Sequence, residues 1–320
     1  MENFLLVFKQ VAILFVLIGA GAVCRKTKLV DEQSVKGMVN VLITIVTPSL
    51  IIECFQRPFE SSMLVQFALA FAIAAAMHVF LIVLSRYTAK GSARELPVLR
   101  VATVFSNAGF MGIPLEYAIL GPKGVFYGIV YVTMFNLFMW TWGVAKMREE
   151  VRVKSEEFGG KSEELWNRLK MLINPGTVGL LIGLPLFLFT ITLPEIVKTP
   201  VKLMSELNTP LAMLVIGYYL AGADLRSVIR SHQAHLATFL RLVVSPLVLI
   251  AVFFCLQRYF DRTMMLALTI AASAPVGAMV TMFASKYDRD VDLSVALVSG
   301  STIVSILTMP PIIALAMGAL

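Results

Sequence analysis

TVFSNAGFMGIPLEYAIL at 103–120 and LTIAASAPVGAMVTMFAS at 268–285 decide how the chain is to be read. Both stretches are apolar enough to lie in a bilayer, yet each carries residues that a spanning helix tolerates poorly. These are Gly109, Gly112 and Pro114 in the first, and Pro275 and Gly277 in the second. Proline removes a backbone donor and glycine weakens the turn. The freed N–H and C=O groups then lie where no water can satisfy them unless a cavity is present. A single kink of this kind is common in packed membrane helices. Two kinks at corresponding places in the two halves of the chain predict a cavity and a site.

The rest of the chain supplies the membrane context for these two segments. Of 320 residues, 58% are hydrophobic and 15% charged, with a mean hydropathy of +0.83, against about 25% charged for a soluble domain. About 20 apolar residues span a bilayer, and apolar windows fall at 4–24, 37–55, 62–84, 100–120, 124–146, 175–193, 201–223, 235–257, 263–285 and 292–318. An all-α integral membrane protein of ten transmembrane helices is therefore expected. A cytosolic enzyme, a single-pass receptor and a barrel of alternating strands are excluded. The start, Met1-Glu2-Asn3 with Lys9 inside the apolar run and Arg25-Lys26 after it, reads as a retained first helix and not as a signal peptide. Cys24, Cys54 and Cys255 lie in or beside apolar windows without ligand spacing, so they read as packing residues, with no metal and no cofactor expected.

One long polar stretch divides the ten windows into five and five. The domain reading is a first five-helix repeat at 1–146, a linker at 147–174 and a second repeat at 175–320. The odd-numbered loops hold 19 Lys and Arg and the opposite side seven. By the positive-inside rule the central loop is cytoplasmic and both termini lie outside the plasma membrane. The net charge of +7 thus sets orientation, and no nucleic-acid partner is expected. An odd number of spans per half inverts the second half relative to the first, as in carriers built from inverted repeats. The Thr47-Pro48 pair in the second window and Thr209-Pro210 in the seventh are a faint trace of such a repeat, and both are read as helix breaks alongside Gly112 and Pro114.

Where a broken helix restarts, its unpaired N–H groups and positive dipole end suit a carboxylate or phosphate. The substrate-binding candidates around the two restarts are Asn107, Ala108, Gly109, Ser273, Pro275, Val276 and Gly277, with Ser106 beside them. The Asn107 amide has two readings, one as a ligand hydrogen-bonding group and one as a partner for freed backbone groups.

The run Ser106-Asn107-Ala108-Gly109-Phe110-Met111-Gly112-Ile113-Pro114-Leu115 resembles the fourth-span motif of the auxin efflux carrier family. Ala274-Pro275-Val276-Gly277, followed by Phe283-Ala284-Ser285-Lys286-Tyr287, resembles its ninth-span motif. The likeness extends through Thr47-Pro48, the stretch from Met213 to Gly222, and the closing VSGSTIVSILTMPPIIAL. It implies two inverted five-helix repeats with broken, crossing helices four and nine, and a scaffold moving against them. It also implies transport of a small organic anion, malate- or malonate-like in bacterial members and auxin in plant members, and a homodimer. Asn107 falls on the family's span-four asparagine and Pro275 on its span-nine proline. Plant members pair proline with asparagine at each crossing, whereas here Ser106 precedes Asn107 and Val276 follows Pro275.

Ionisable residues within spans are costly and read as functional until shown otherwise. Glu116, just past the first break, and His78, the one histidine within a window, are the proton-coupling candidates, against the alternatives of a residue at the polar end of the half-helix for Glu116 and a hydrogen-bonded structural histidine for His78. Glu53, Asp224 and Arg241 fall near window ends and are read as snorkelling to the interface. Coupling stays open between a proton, sodium and none, because a potential of 100 mV already supplies about 2.3 kcal/mol per charge. No enzyme is expected: Ser299-Gly300-Ser301 lacks a companion histidine, and Asp224 lacks a partner aspartate. The function expected is secondary transport of a small organic carboxylate. The alternative is a non-transporting membrane sensor or partner-binding protein on the same fold.

Overall fold

The computed structural model describes residues 2–58, 61–148, 175–222 and 231–320. Most of the expected linker, 149–174, and Asp224 lie outside the described residues. Among the described residues there is no strand, and the chain runs as helices α1 (Glu2–Lys26), α2 (Glu32–Phe55), α3 (Ser61–Thr88) and α4 (Glu95–Val104). The stretch Ala108–Arg148 is two helices, α5 (108–120) and α6 (122–148), because Gly121 between them has a φ of 66° and Pro122 follows it. Then come α7 (Pro175–Leu188), α8 (Glu195–Glu206), α9 (Asn208–Leu220), α10 (His232–Tyr259), α11 (Arg262–Ser273), α12 (Met279–Lys286) and α13 (Val291–Ala319).

Six stretches, at α1, α2, α3, α5–α6, α10 and α13, are long and apolar enough to cross a membrane, and α7 and α11 are shorter apolar helices. The protein is an integral membrane protein. Large apolar side chains on the outside of the bundle, including Val16, Leu181, Leu203 and Leu307, are exposed. This is unremarkable where the surrounding solvent is hydrocarbon.

Helix starts are written locally. Ser92 and Glu95 cap α4 reciprocally, the Ser92 N–H donating to Glu95 Oε2 at 2.8 Å and the Glu95 N–H to Ser92 Oγ at 3.4 Å. Asp31, Ser231, Asp261 and Asp290 each accept an N–H three residues on, at the starts of α2, α10, α11 and α13. Prolines inside the bundle are absorbed in a different way. Single π-turns at Leu42–Val46, Ala108–Gly112 and Leu240–Val244 each end two residues before a proline, Pro48, Pro114 and Pro246 respectively. The expected break at Thr47-Pro48 is therefore a local widening of a helix that continues through it, with Thr47 Oγ1 donating to the Leu42 carbonyl at 2.9 Å. Thr209-Pro210 lies in the first turn of α9, just after the junction with α8 at Leu207.

The most extensive helix pairings are α1 with α9, α2 with α7, and α11 with the α5–α6 stretch. At α1–α9 the backbones nearly touch. A Cβ on Gly217 would fall 1.9 Å from the Ile18 carbonyl oxygen, and one on Gly21 would fall 2.2 Å from that of Leu214. Only glycine fits at these two positions, the small-residue approach that drives helix association in lipid.

Candidate functional site

α4 ends at Val104 and α11 at Ser273, and after each the chain runs extended before a new helix starts, at Ala108 and at Met279. The two extended segments meet antiparallel at Ser106 and Val276. The Asn107 N–H donates to the Pro275 carbonyl at 2.6 Å and the Gly277 N–H to the Phe105 carbonyl at 2.9 Å. The Val276 N–H donates to Ser301 Oγ of α13 at 3.0 Å. Backbone groups freed by the breaks are thus satisfied largely by one another. The sequence argument assigned that task to a water-lined cavity, but two breaks at the same place can pair like a scrap of sheet.

The crossing is enclosed. Asn107, Ala108, Ser273, Pro275, Val276 and Gly277 are buried, Gly109 is half-buried and Ala278 is exposed. What remains unspent is chemically specific. Ser106 Oγ is buried without a hydrogen-bond partner, and among the described residues the Asn107 amide takes none and does not cap the helix that follows it. The first-turn N–H groups of α5 have no partner within that helix, whereas in α12 Val280, Thr281 and Met282 already donate to the carbonyls of Gly277 and Ala278. Ser273, one of the substrate-binding candidates, donates to its own helix at Ile270 O, 2.8 Å away. Gly112 and Pro114 lie one turn into α5, where the π-turn Ala108–Gly112 accommodates the proline.

The two proton-coupling candidates sit apart. Glu116 is fully buried, both carboxyl oxygens lack hydrogen-bond partners, and it faces the glycines of α5 and α6. A Cβ at Gly128 would lie 1.6 Å from Glu116 Oε2, and one at Gly112 would lie 3.7 Å from Oε1. His78 is also fully buried, but its Nδ1 is 2.7 Å from the Ala74 carbonyl and its ring stacks on Phe138 at 5.3 Å and 4° between planes, with Tyr131 5.0 Å away.

Arg241 corrects the sequence reading. Far from snorkelling, it is fully buried, within the π-turn of α10, and its guanidinium reaches both breaks. Nη1 donates to the Val104 carbonyl at 2.8 Å, while Nη2 donates to the Ala272 carbonyl and, at 2.7 Å, to Ser245 Oγ. A cavity of about 310 Å³ lies elsewhere, lined by Gln66, Lys123, Arg258 and Asp261 among others and by none of the crossing residues. There Lys123 pairs with Asp261 at 2.8 Å. Partial burial works to raise the Asp261 carboxyl, and the Lys123 ammonium and the Met264 N–H more than offset it, leaving it below the usual carboxylate range.

A bundle of lipid-facing helices with two discontinuous helices paired at its centre defines a polytopic membrane protein of the discontinuous-helix kind. The sequence profile described as "Membrane transport protein" matches residues 6–313, and the chain belongs to that family, which includes the auxin efflux carriers. It is a membrane transporter family and not an enzyme family. An uncharacterized transporter of Methanothermobacter thermautotrophicus is 27% identical over 212 residues, 66% of this chain and 65% of that protein. Auxin efflux carrier component 8 of Arabidopsis thaliana is 26% identical over 123 residues, 37% of this chain and 33% of that protein. The chain thus spans a little under two thirds of the first relative's length and a third of the second's.

Proposed function

We propose that the protein is a secondary transporter of a small organic carboxylate across the cytoplasmic membrane, working by alternating access, with the anion held between the restarting helices α5 and α12. The observation that carries this reading is the antiparallel meeting of two broken helices at Ser106 and Val276. It sets two helix N-termini beside the unspent Asn107 amide and Ser106 hydroxyl. Oriented N–H groups with a neutral amide donor suit a carboxylate, and no fixed cation at the restarts would hold the anion too tightly for release.

In this proposal the ten apolar windows are ten crossings in two inverted halves, and three of them (the fourth, seventh and ninth) are each made of two shorter helices. Reciprocal packing supports the inversion. The first crossing packs on the seventh (α1 on α9) and its counterpart, the sixth, packs on the second (α7 on α2); likewise the third packs on α4 and the eighth on α11. Glu116 is the proton-exchanging group of the proposal, ahead of His78, since both its oxygens are free of partners whereas the His78 ring is engaged. Cys54 on α2 lies within electrostatic reach of Glu116, and among the described residues no side chain hydrogen-bonds to the carboxyl.

The test is thermal stabilisation of the purified protein by malate, malonate, succinate, citrate, lactate and indole-3-acetate, because a ligand that binds only the folded state raises its melting temperature. One or more of these should stabilise the wild type, and Asn107→Ala and Pro275→Ala should remove that stabilisation while still folding. An Asn107→Ala protein that still responds fully, or a wild type that responds to none while a proteoliposome uptake assay shows no flux, would overturn the reading.

A further inference from the structure

The ends of α4 and α11 converge on one side of the crossing, and a helix C-terminus carries roughly half a negative charge on its unpaired carbonyls. Two such ends aimed at one point make a cation site, and carriers with discontinuous helices use helix C-termini and unwound carbonyls in this way to coordinate sodium. Here the point is occupied by the protein itself. The Arg241 guanidinium donates to the Val104 carbonyl, the last residue of α4, and to the Ala272 carbonyl, next to last in α11. It is fully buried and forms no ion pair among the described residues. Its positive charge is therefore balanced by the two helix ends, with Ser245 Oγ holding the guanidinium in place and the Tyr131 hydroxyl beside it. The planar fork can reach two carbonyls from one stem, which the single ammonium of lysine does less well.

We propose that Arg241 is a tethered cation that fills the crossing's own cation site, so that the protein folds around the breaks and binds its anion with no coupling metal ion. Arg241 is a positioning residue, acting on substrate only through the helix ends it neutralises. The anion half of this statement rests on the carboxylate reading above; the cation-site half does not.

The experiment separates the two. Without any anion, the purified wild type and Arg241→Ala are melted in sodium, potassium or choline chloride at equal ionic strength, with and without about 10 mM guanidinium and a urea control at the same concentration. Wild type should melt at one temperature in all three salts. Arg241→Ala should melt roughly 10 °C lower and recover several degrees with guanidinium or sodium, but not with choline or urea. A wild type stabilised by sodium over choline would show an inorganic site beside Arg241 and overturn the proposal. So would an Arg241→Ala protein that folds but recovers with neither cation, since that is how a purely packing role behaves. Should Arg241→Ala not fold, Arg241→Lys, which keeps the charge, is expected to fold and stay insensitive to sodium; failure of Arg241→Lys in all salts, with or without guanidinium, would count against a role for charge. In the second arm, malonate uptake into proteoliposomes by wild type should be equal in sodium and choline within about twofold, and dependence on sodium would overturn the proposal. Absence of uptake and binding in every salt would count against the carboxylate reading alone, and the melting arm would still decide on Arg241.

Discussion

Arg241 and Glu116 are both fully buried ionisable side chains flanking the same crossing, and their surroundings differ completely. Arg241 has three acceptors, two of them backbone carbonyls at helix ends that bring partial negative charge with them. Among the described residues Glu116 has no donor: it lies against Gly112 and Gly128, where a helix in mid-run has spent its N–H groups and offers only room. A polytopic bundle can hold a permanent cation cheaply wherever helices break, because the break leaves the complementary carbonyls behind. It has no equivalent way to hold an anion along an unbroken stretch. In the reading proposed above the two residues take opposite roles, Arg241 fixed in its charge and Glu116 open to exchange.

The contrast breaks most forcibly at Arg241. Arg241→Met keeps volume but strips donors from Val104, Ala272 and Ser245, and removing one side of a buried charged arrangement costs about 3–5 kcal/mol. Thermal unfolding followed by intrinsic fluorescence should show this as the largest drop among these variants, and a drop no larger than that of a surface substitution would erase the distinction drawn above. Next is Gly128→Ala, whose methyl would collide with the Glu116 carboxyl. Overpacking of this kind costs about 1–3 kcal/mol. The same substitution in a Glu116→Ala background should cost little, so a double-mutant cycle should return most of the penalty as coupling; additive effects would mean that Glu116 is not what Gly128 makes room for. Smaller again is Glu116→Gln, which keeps shape and removes ionisation. Its melting temperature should equal or exceed that of wild type, and proteoliposome uptake of malonate should lose its dependence on pH. A melting temperature several degrees below wild type would reveal a partner for the carboxylate.

The all-helical membrane character was legible because bilayer thickness imposes a length on apolar runs, and six described stretches are long and apolar enough to cross. The breaks at 105–107 and 274–278 were legible through Pro275 and the glycines after Asn107. Two features were not. Thr47-Pro48 carries the same signal as a break, and whether a helix interrupts or merely widens into a π-turn depends on what packs against it. Arg241 is the seventh residue of the window that opens at 235, close enough to an end for snorkelling. Its burial depends on α4 and α11 arriving from 137 and 31 residues away. The pairing of Ser106 with Val276, and the use of Ser301 as acceptor for the Val276 N–H, are long-range facts of the same type. Local composition signals a helix that cannot be continuous, but not which distant group will satisfy it.

His78 supplies the finest cut. Its imidazole Nδ1–H donates to Ala74 O, the ring stacks on Phe138, and Nε2 is left buried without a partner. His78→Phe would lose one hydrogen bond, worth about 1 kcal/mol net, while also removing a buried unsatisfied nitrogen of comparable cost. The two nearly cancel, and the aromatic cage formed by Phe105, Tyr131 and Phe138 already accommodates a flat ring. The expected change in melting temperature is therefore at most a few degrees, with the pH profile of malonate uptake unmoved. Should His78→Phe flatten that profile while Glu116→Gln leaves it intact, proton exchange would belong to the stacked imidazole. The partnerless carboxyl would then be a packing oddity tolerated by two glycines, and the opposition between Arg241 and Glu116 would be one of cost alone, with no division of labour behind it.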